Sequence, residues 1–174
     1  MMIKGKYINM RIAQLDDAEF LVKLRNHPQR SRFLHQVPDD VNLQRSWLRN
    51  YKIREDADED YYFIIEGKDK TPYGAIRLHD MVRDKFTWGS WILLPCAPKK
   101  AAIDSLVNLY DYAFKKGFKE SYFFVRKDNL HAIAFYDRFG AIRDSEDNKH
   151  LYYVLNIEHY ELIRNRYLEF IGKT

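Results

Sequence analysis

The sequence predicts an α/β (α+β) fold with a mixed, mostly antiparallel twisted sheet that is flanked by helices. Three observations support this class. Hairpin-like strand patterns in the first half give way to alternating strand and helix patterns in the second half, an order that is typical of a mixed sheet covered by helices. The 174 residues are enough for one well-buried core and carry no repeat or Gly/Ser-rich linker. Apolar residues at 46% and charged residues at 31% are typical of a folded chain. We therefore expect one domain over residues 1–174.

The first elements are a strand and two helices. A strand is predicted over 8–13, and a helix over 17–25 with Asp16 as its N-cap. The His27-Pro28 pair ends that helix, because the residue before proline avoids helical geometry. A second helix is predicted over 41–51. Its apolar face consists of Leu43, Trp47 and Leu48.

An acidic run over 55–60 is predicted to be a solvated loop. Three strands then follow, over 61–66, 73–82 and 86–94. The first two are predicted to form a hairpin, because turn-forming residues separate them.

The second half alternates between helix and strand patterns. Pro98 favours a helix start, and Gly117 and Gly140 favour helix ends. The predicted elements are helices over 99–116 and 129–139, strands over 120–125, 141–143 and 151–156, and an extra C-terminal helix over 158–171. The apolar stripe of that last helix is predicted to pack on the core rather than on another subunit, and consists of Tyr160, Ile163, Tyr167 and Phe170.

Charge and composition restrict the class of partner. The net charge of +4 and pI near 9.0 are mildly basic, which favours small anionic ligands and does not indicate nucleic-acid binding. Cys96 is the single cysteine, so no internal disulfide forms and a reducing compartment is expected. No signal peptide is recognisable, and no apolar run approaches the roughly 18 residues of a membrane span. We expect a cytoplasmic monomer or homodimer with no metal.

The strand over 86–94 leads directly into the helix that follows Pro98. A helix N-terminus exposes unpaired N–H groups and a partial positive charge, so this junction is a candidate anion site. The candidate donors are the amides of Lys99, Lys100, Ala101 and Ala102. Because every strand–helix turn has this dipole, a turn that binds only water is the alternative.

The segment Asn129-Leu-His-Ala-Ile-Ala-Phe-Tyr-Asp-Arg-Phe-Gly-Ala141 is the second candidate. Asn129 stands at a helix start, where its side chain caps the helix or reaches a ligand. Tyr136 lies about two turns further on the same side, and its phenol is suited to donating a proton to a departing thiolate. A tyrosine packed in the core is the alternative.

This segment resembles the Asn-x-x-Ala-x-x-Phe-Tyr-x-x-Phe-Gly-Ala signature of the GCN5-related N-acetyltransferase (GNAT) superfamily. Upstream, Gly89-Ser-Trp-Ile-Leu-Leu-Pro, with Asp104 and Leu106 in the following helix, is similar to the acetyl-CoA motif of the same family. The predicted element order matches the family fold, and the resemblance covers nearly all of residues 7–156. Within the family, the chain looks most like members that act on amino sugars in surface-polysaccharide pathways.

The resemblance implies roles for the cofactor side. Acetyl-CoA is the implied cosubstrate. Its pantetheine arm would pair with the backbone of Trp91, Ile92 and Leu93 and contact Asn129. Its pyrophosphate would lie on the amides from Lys99 to Ala102. Tyr136 would protonate the coenzyme A thiolate, so that catalysis consists of proximity plus general acid catalysis.

The chain departs from the family pattern at two places. The family's loop usually carries arginine and glycines, and here Ala97, Pro98, Lys100 and Ala102 take those places; we expect the loop to bind the pyrophosphate nonetheless, with help from lysine. The strand position where many members carry a glutamate base is Thr87, and threonine cannot deprotonate an ammonium group.

The base must therefore come from elsewhere or act through water, and the end of the neighbouring strand offers the best candidates. His79 and Asp80 are the candidates, and histidine has the more suitable pKa. Cys96 is expected to be a small turn residue rather than a nucleophile, since no Cys-His pair is in register.

The acceptor side is expected to come from the first two helices and their connector. Arginine there suits a phosphate, as a nucleotide-linked sugar requires, and Trp47 would shape the wall. The candidate residues are Asn26, Arg30, Phe33 and His35.

The predicted activity is transfer of acetyl to the primary amine of a nucleotide-linked amino sugar. Acetylation of a protein N-terminus or a polyamine is the first alternative, with the acidic run as a source of carboxylates for a polyamine. The second alternative is a non-catalytic module whose cofactor loop has degenerated.

Overall fold

A computed structural model describes residues 1–172. The helices are α1 (Ala18–Arg25), α2 (Val41–Asp56), α3 (Ala101–Lys115), α4 (Leu130–Phe139) and α5 (Ile157–Ile171). The strands are β1 (Met2–Lys4), β2 (Asn9–Ile12), β3 (Tyr61–Glu66), β4 (Pro72–Val82), β5 (Lys85–Leu93), β6 (Glu120–Arg126), β7 (Ile142–Glu146) and β8 (His150–Asn156).

Within the described chain the strands form one sheet in the order β1-β2-β3-β4-β5-β6-β8-β7. Every neighbouring pair is antiparallel except β5 and β6, which are parallel. This confirms the predicted mixed sheet and places its parallel step in the interior. The extra C-terminal helix is also present.

The helices cover the two faces of the sheet separately. On one face, α1 and α2 pack Leu21, Leu24 and Leu48 against strand residues such as Ile64. On the other face, α3, α4 and α5 enclose the larger core. An aromatic set fills that larger core and includes Phe63, Phe86, Trp88, Tyr110, Phe123, Phe139, Tyr153 and Tyr160. Burial of these large rings gives the chain a firm core on the side where the candidate motif helix, α4, packs.

The amino-terminal half departs from the predictions in three places. A strand, β1, precedes the predicted first strand and pairs with it. Asp16 is exposed and is not a cap. A short 3₁₀ turn precedes α1 instead, and Asp17 accepts the Gln14 N–H at 2.7 Å. Leu43 is 55% exposed, because it lies on the outer side of α2.

The acidic run is not simply a solvated loop. Its first two residues belong to α2, which extends five residues beyond the predicted Tyr51. Asp60 is buried at 1% exposure and accepts hydrogen bonds from Arg54 and Arg77. Since a buried carboxylate is stable only when paired, the cations of α2 and β4 fix this end of β3.

The later boundaries are close to those predicted. Gly140 ends α4 with φ +97, the left-handed conformation that favours glycine at this position. The C-terminal helix packs on the core through Tyr160 and Tyr167, as predicted, whereas Phe170 is 56% exposed.

Candidate active site

The parallel strands β5 and β6 separate soon after they pair. The pairing between them joins residues 85–87 of β5 to residues 120–122 of β6. Beyond these residues, β5 continues to Leu93 and β6 continues to Arg126, but the two strands no longer pair with each other. Backbone groups along both margins are thus left without a strand partner, which sheets normally avoid in their interior. The result is a wedge-shaped gap in the middle of the sheet.

A bulge in β5 lies at the margin of this gap. Arg77 pairs with Gly89 and Ala75 with Ile92, so Ser90 and Trp91 together oppose one residue of β4. Ser90 has φ +47, which marks the extra residue of the bulge. Strain of this kind at a non-glycine residue is concentrated at functional sites.

The bulge also decides which peptide groups face the gap. Leu94 donates its N–H to Tyr73 of β4 at 2.8 Å, and Ile92 is paired with β4 as well. Because successive residues of a strand direct their peptide groups to opposite sides, Trp91 and Leu93 face the gap. Of the three predicted backbone residues, two are therefore placed to pair with a ligand in the gap.

Tyr136 spans the gap from the α4 side. Its ring centroid lies 6.4 Å from that of Trp91 on β5 and 5.0 Å from that of Phe123 on β6. Within residues 1–172 no hydrogen bond to its hydroxyl is found. Burial raises the pKa of Tyr136, so the phenol keeps its proton at neutral pH. The structure thus places the predicted acid where both margins of the gap meet.

The indole nitrogen of Trp91 supports a ligand in the same gap. Trp91 Nε1 is buried and has no hydrogen-bond partner in the described chain. Trp91 packs against Phe135 and Tyr136 of α4, with ring centroids 5.4 and 6.4 Å apart. Buried donors are normally satisfied, so this indole N–H is an unused hydrogen-bond donor beside the aromatic wall.

The turn before α3 retains free amide donors. Among the predicted four, the Ala101 N–H already donates to the Pro98 carbonyl at 2.8 Å, so it is not free to donate to an anion in this structure. The Lys99, Lys100 and Ala102 N–H groups donate to no carbonyl within the described residues. Three predicted donors therefore remain at the positive end of α3.

Lys100 does not direct its charge to this turn. Its Nζ donates to the Phe170 carbonyl at 2.5 Å and lies 5.0 Å from the Phe170 ring centroid. Of the two lysines from which help was expected, this leaves Lys99, which is exposed. Cys96 is exposed in the preceding turn, as predicted.

Asn129 caps α4. Its Oδ1 accepts the Ala132 N–H at 3.2 Å, one of the two functions that the sequence left open. The side-chain amide nitrogen has no partner in the described residues and remains available to a ligand at the end of β6.

His79 lies on the opposite face from Tyr136. It pairs with Thr87 across β4 and β5, and its Nε2 is directed over Gly89, 3.6 Å from where a Cβ would stand. Its Nδ1 contacts Asp80 Oδ2 at 2.9 Å. Burial, reinforced by the nearby charge of Arg77, lowers the pKa of His79. A neutral imidazole therefore faces the bulge, although Asp80 opposes the shift.

A pocket of about 270 Å³ opens beside the bulge on this face. Val37 and Trp47 form its apolar wall, as predicted for Trp47. Its polar lining consists of Arg25, His35, Gln44, Tyr62, Arg77 and Ser90.

Arg25 organises the pocket. Its Nη1 donates to Ser90 Oγ at 3.0 Å, and its Nη2 donates to the His35 carbonyl at 3.0 Å. One side chain therefore connects α1, the α1–α2 connector and the bulge. No carboxylate pairs with Arg25 in the described chain.

The four predicted acceptor residues are not brought together as one cluster. His35 lines the pocket. Phe33 is not part of its lining, and its ring centroid lies 5.7 Å from the Arg126 guanidinium. Arg30 is exposed without a side-chain partner among the described residues. Asn26 ends α1 and donates Nδ2 to the Val22 carbonyl at 3.0 Å, so it acts as a cap.

Sequence reasoning missed Arg25, Tyr62, Arg77 and Ser90. The Gly89-Ser90 pair inside a strand was an available signal, because glycine within a strand indicates a bulge. Nothing in the sequence marked Arg25 or Arg77 as pocket residues, because the chain has many arginines and the fold determines which residues each of them contacts.

Comparison with known proteins identifies the fold. The sequence model of the GNAT acetyltransferase domain matches residues 8–142. The structure titled "Apo FdhC- a nucleotide-linked sugar GNAT" is 35% identical, with a TM-score of 0.90 and 99% coverage of both chains. The chain belongs to the GNAT acetyltransferase family. It is an acetyl-transferring enzyme, which disfavours the non-catalytic module.

More distant structures share the fold of this GNAT enzyme. Mycobacterium smegmatis RimJ in complex with CoA-disulfide is 14% identical, with a TM-score of 0.81 and coverage of 99% of this chain and 95% of that one. The ribosomal-protein-S5-alanine acetyltransferase from Vibrio fischeri is 12% identical, with a TM-score of 0.78 and coverage of 90% and 96%. No protein with a curated description matches the chain.

None of the helices in the described part of the chain is both long and apolar enough to cross a membrane. No group of His, Cys, Asp or Glu within residues 1–172 is arranged to hold a metal ion.

Proposed function

We propose that this GNAT enzyme transfers the acetyl group of acetyl-CoA to the amine of a nucleotide-linked amino sugar. The observation that carries the proposal is the arginine-lined pocket that opens at the β5 bulge, directly beside the gap between β5 and β6. A pocket and a gap that meet at one bulge bring two substrates together, which is the main requirement of a direct transfer.

The gap fits the thioester arm of acetyl-CoA. Trp91 and Leu93 offer peptide groups to the amides of the pantetheine arm, and the free amides of Lys99, Lys100 and Ala102 suit its pyrophosphate. The unpartnered Trp91 Nε1 adds a buried donor along the same path. When bound, this cosubstrate supplies the activated acetyl group.

The chemistry needs two protons removed from the acceptor ammonium and one supplied to the sulfur. His79 takes the first proton from the ammonium on the α1–α2 face, and the freed amine forms a bond to the thioester carbonyl carbon. As the C–S bond breaks, Tyr136 gives its proton to the departing sulfur on the α4 face; the second nitrogen proton passes to solvent, from which the Tyr136 phenolate is reprotonated. Burial raises the pKa of the Tyr136 phenol, so it holds its proton until negative charge develops on the departing sulfur.

The charge of the pocket supports an anionic acceptor. Arg77 and Arg54 share the single carboxylate of Asp60, and Arg25 has no acidic partner in the described chain, so positive charge is in excess. Guanidinium groups bind diphosphates in bidentate geometry. The exposed Arg30 and Arg32 extend this charge outside the pocket. The related FdhC structure is described as a nucleotide-linked sugar GNAT, which is consistent with this acceptor class.

A polyamine acceptor is disfavoured by the same charges. Three of the five carboxylates of the acidic run are engaged with cations: Glu55 with Lys52, Asp58 with Lys116, and Asp60 with two arginines. They are therefore not placed to attract a polycation to the pocket. A protein N-terminus remains the second candidate acceptor. Its neutral peptide backbone is compatible with a pocket that has both an apolar wall and a polar lining.

An acceptor screen tests the proposal. Purified protein is mixed with acetyl-CoA and a panel of nucleotide-linked amino sugars, free hexosamines, polyamines and short peptides, and thiol release is followed. We expect kcat/KM for a nucleotide-linked amino sugar to exceed that for the free hexosamine at least about 10²-fold, since the diphosphate contributes charge-assisted bonds. Preference for a peptide would contradict the proposal.

The pH profile tests His79. We expect activity to fall on the acid side with a midpoint below the ordinary histidine value of about 6.5, because burial and Arg77 lower the pKa. His79→Ala should lower turnover roughly 10²-fold and remove this limb. Asp80→Asn should move the limb to lower pH, since Asp80 raises the pKa. The control is His159→Ala on α5, and an acid limb that survives in His79→Ala excludes His79 as the base.

A further inference from the structure

The carboxylate of Asp80 reaches the imidazole of His79 through a left-handed turn of the backbone. The Nδ1 of His79 lies 2.9 Å from Asp80 Oδ2, although the two residues are consecutive in β4. Side chains of consecutive strand residues ordinarily point to opposite faces of a sheet. Asp80 has φ +48, and the pairing of β4 with β5 shifts between His79 and Val82. This irregular turn brings the carboxylate back to the face on which His79 lies.

A tyrosine of β6 holds this turn in place. The Tyr122 hydroxyl donates to the Asp80 carbonyl at 3.2 Å. Tyr122 pairs with Thr87, and Thr87 pairs with His79, so the three side chains form one row on the α1–α2 face of the sheet. Tyr122 therefore reaches across β5 to β4, and Thr87 between them is 7% exposed. The turn is thus tied to the strand on the far margin of the gap.

The left-handed conformation of Asp80 needs such support. Residues other than glycine rarely adopt a positive φ, although aspartate and asparagine do so more readily than the rest. A residue held in this region persists only where the surrounding contacts fix it. The Asp80 side chain is 66% exposed, so water competes for its hydrogen bond with His79. The bond from Tyr122 therefore controls how well the carboxylate stays on the imidazole.

We propose that Tyr122 is a positioning residue that holds Asp80 against His79, so that the imidazole presents an unprotonated Nε2 to the acceptor amine. This rests on the proposed function, in which His79 is the base. A neutral imidazole that donates Nδ1–H to a carboxylate keeps its lone pair on Nε2. Nε2 is directed over Gly89, beside the bulge. It therefore takes the ammonium proton, while the Nδ1 proton stays on the ring and keeps its bond to Asp80.

The charge of Asp80 acts on His79 together with that of two other residues. Burial and the neighbouring Arg77 lower the pKa of His79, whereas Asp80 and Asp60 raise it. The residues of β5 that face the imidazole carry no charge, and the Tyr122 hydroxyl of β6 is bound to a backbone carbonyl. Loss of the contact with Asp80 should therefore lower the pKa of His79 and move the acid limb of activity to lower pH.

NMR of the imidazole rings in the free protein is the first test. The chain has six histidines, and the signals that are missing from His79→Ala assign that ring. Wild type should show the Nδ1–H form. Tyr122→Phe should show a mixture of the two neutral forms and a lower His79 pKa. Asp80→Gly keeps a residue suited to the left-handed turn but removes the carboxylate, so it should show the same changes more strongly.

Tyr152→Phe is the matched control. Tyr152 lies in β8 on the same face of the sheet as Tyr122, and its hydroxyl donates to Asp147 Oδ2 at 2.8 Å. The substitution removes a tyrosine hydroxyl from this face without touching the turn, so the His79 signals should stay as in wild type. A wild-type tautomer and pKa of His79 in Tyr122→Phe would overturn the role of Tyr122.

Kinetics separates this role from the function on which it rests. Tyr122→Phe should lower kcat about tenfold, the effect of about one hydrogen bond, with the KM of acetyl-CoA unchanged and the acid limb at lower pH. Altered kinetics beside unaltered His79 signals would overturn the positioning. Altered His79 signals beside wild-type kinetics would support the contact between Tyr122 and the turn but contradict His79 as the base, so that the proposed function would fail at that residue.

Discussion

Tyr136→Phe is expected to lower kcat roughly 10²- to 10³-fold while leaving the Kd of acetyl-CoA nearly unchanged, since general acid catalysis is worth about this much. The ring of Tyr136 packs against both margins of the gap, and phenylalanine preserves that packing. The hydroxyl has no hydrogen bond within the described chain, so Tm should not fall. Steady-state kinetics together with calorimetric titration of coenzyme A measures both quantities.

A matched control distinguishes the loss of proton donation by Tyr136 from the general effects of removing a tyrosine hydroxyl. Tyr112→Phe on α3 changes a half-buried tyrosine of the same core, away from the gap. It should keep wild-type turnover. If Tyr136→Phe retained full turnover, Tyr136 would not be the acid.

Asp104→Ala is expected to produce the largest loss of stability. Asp104 is fully buried in α3, and its Oδ2 accepts the Tyr7 N–H at 2.6 Å and the Ile8 N–H at 3.2 Å. Its loss leaves two backbone donors of the β1–β2 segment without an acceptor. Because hydrogen bonds to a charged group are worth more than neutral ones, we expect a loss of about 3 kcal/mol, or about 6–12 °C in Tm.

Denaturant unfolding and thermal melting measure this loss. Asp104→Asn is the control, because it keeps a carbonyl oxygen of the same size and should lose about half as much. A loss below about 1 kcal/mol for Asp104→Ala would show that the N-terminal segment is held by other contacts.

The fold could be predicted from the sequence because helices, strands and their ends are indicated by local residue patterns. Gly140 needs a left-handed φ at the end of α4, and the strand and helix periods follow from which face is buried. β1 was missed because three residues are too few to show a period. The sequence alone does not distinguish Asp16 from Asp17 as the hydrogen-bond acceptor at this helix start. The two carboxylates are adjacent, and only the fold determines which of them is buried.

The site was predictable on its cofactor side and less so on its acceptor side. Tyr136 and Asn129 belong to one helix with fixed spacing, so a motif can indicate them together. Arg25, Tyr62 and Ser90 come from α1, β3 and β5, and only the packed sheet brings them to one pocket. Lys100 shows the same limit, because its bond to Phe170 joins positions that are 70 residues apart.

The early separation of β5 and β6 has a mechanical consequence. The strands β1 to β5 and β6 to β8 form two half-sheets that share a short ladder of three residue pairs. A molecule that hydrogen bonds to both margins acts as a ninth strand and joins the halves. Since it binds the folded chain and not the unfolded one, the cooperativity of unfolding becomes linked to its concentration, and the half-sheets should come apart together rather than one after the other when it is present.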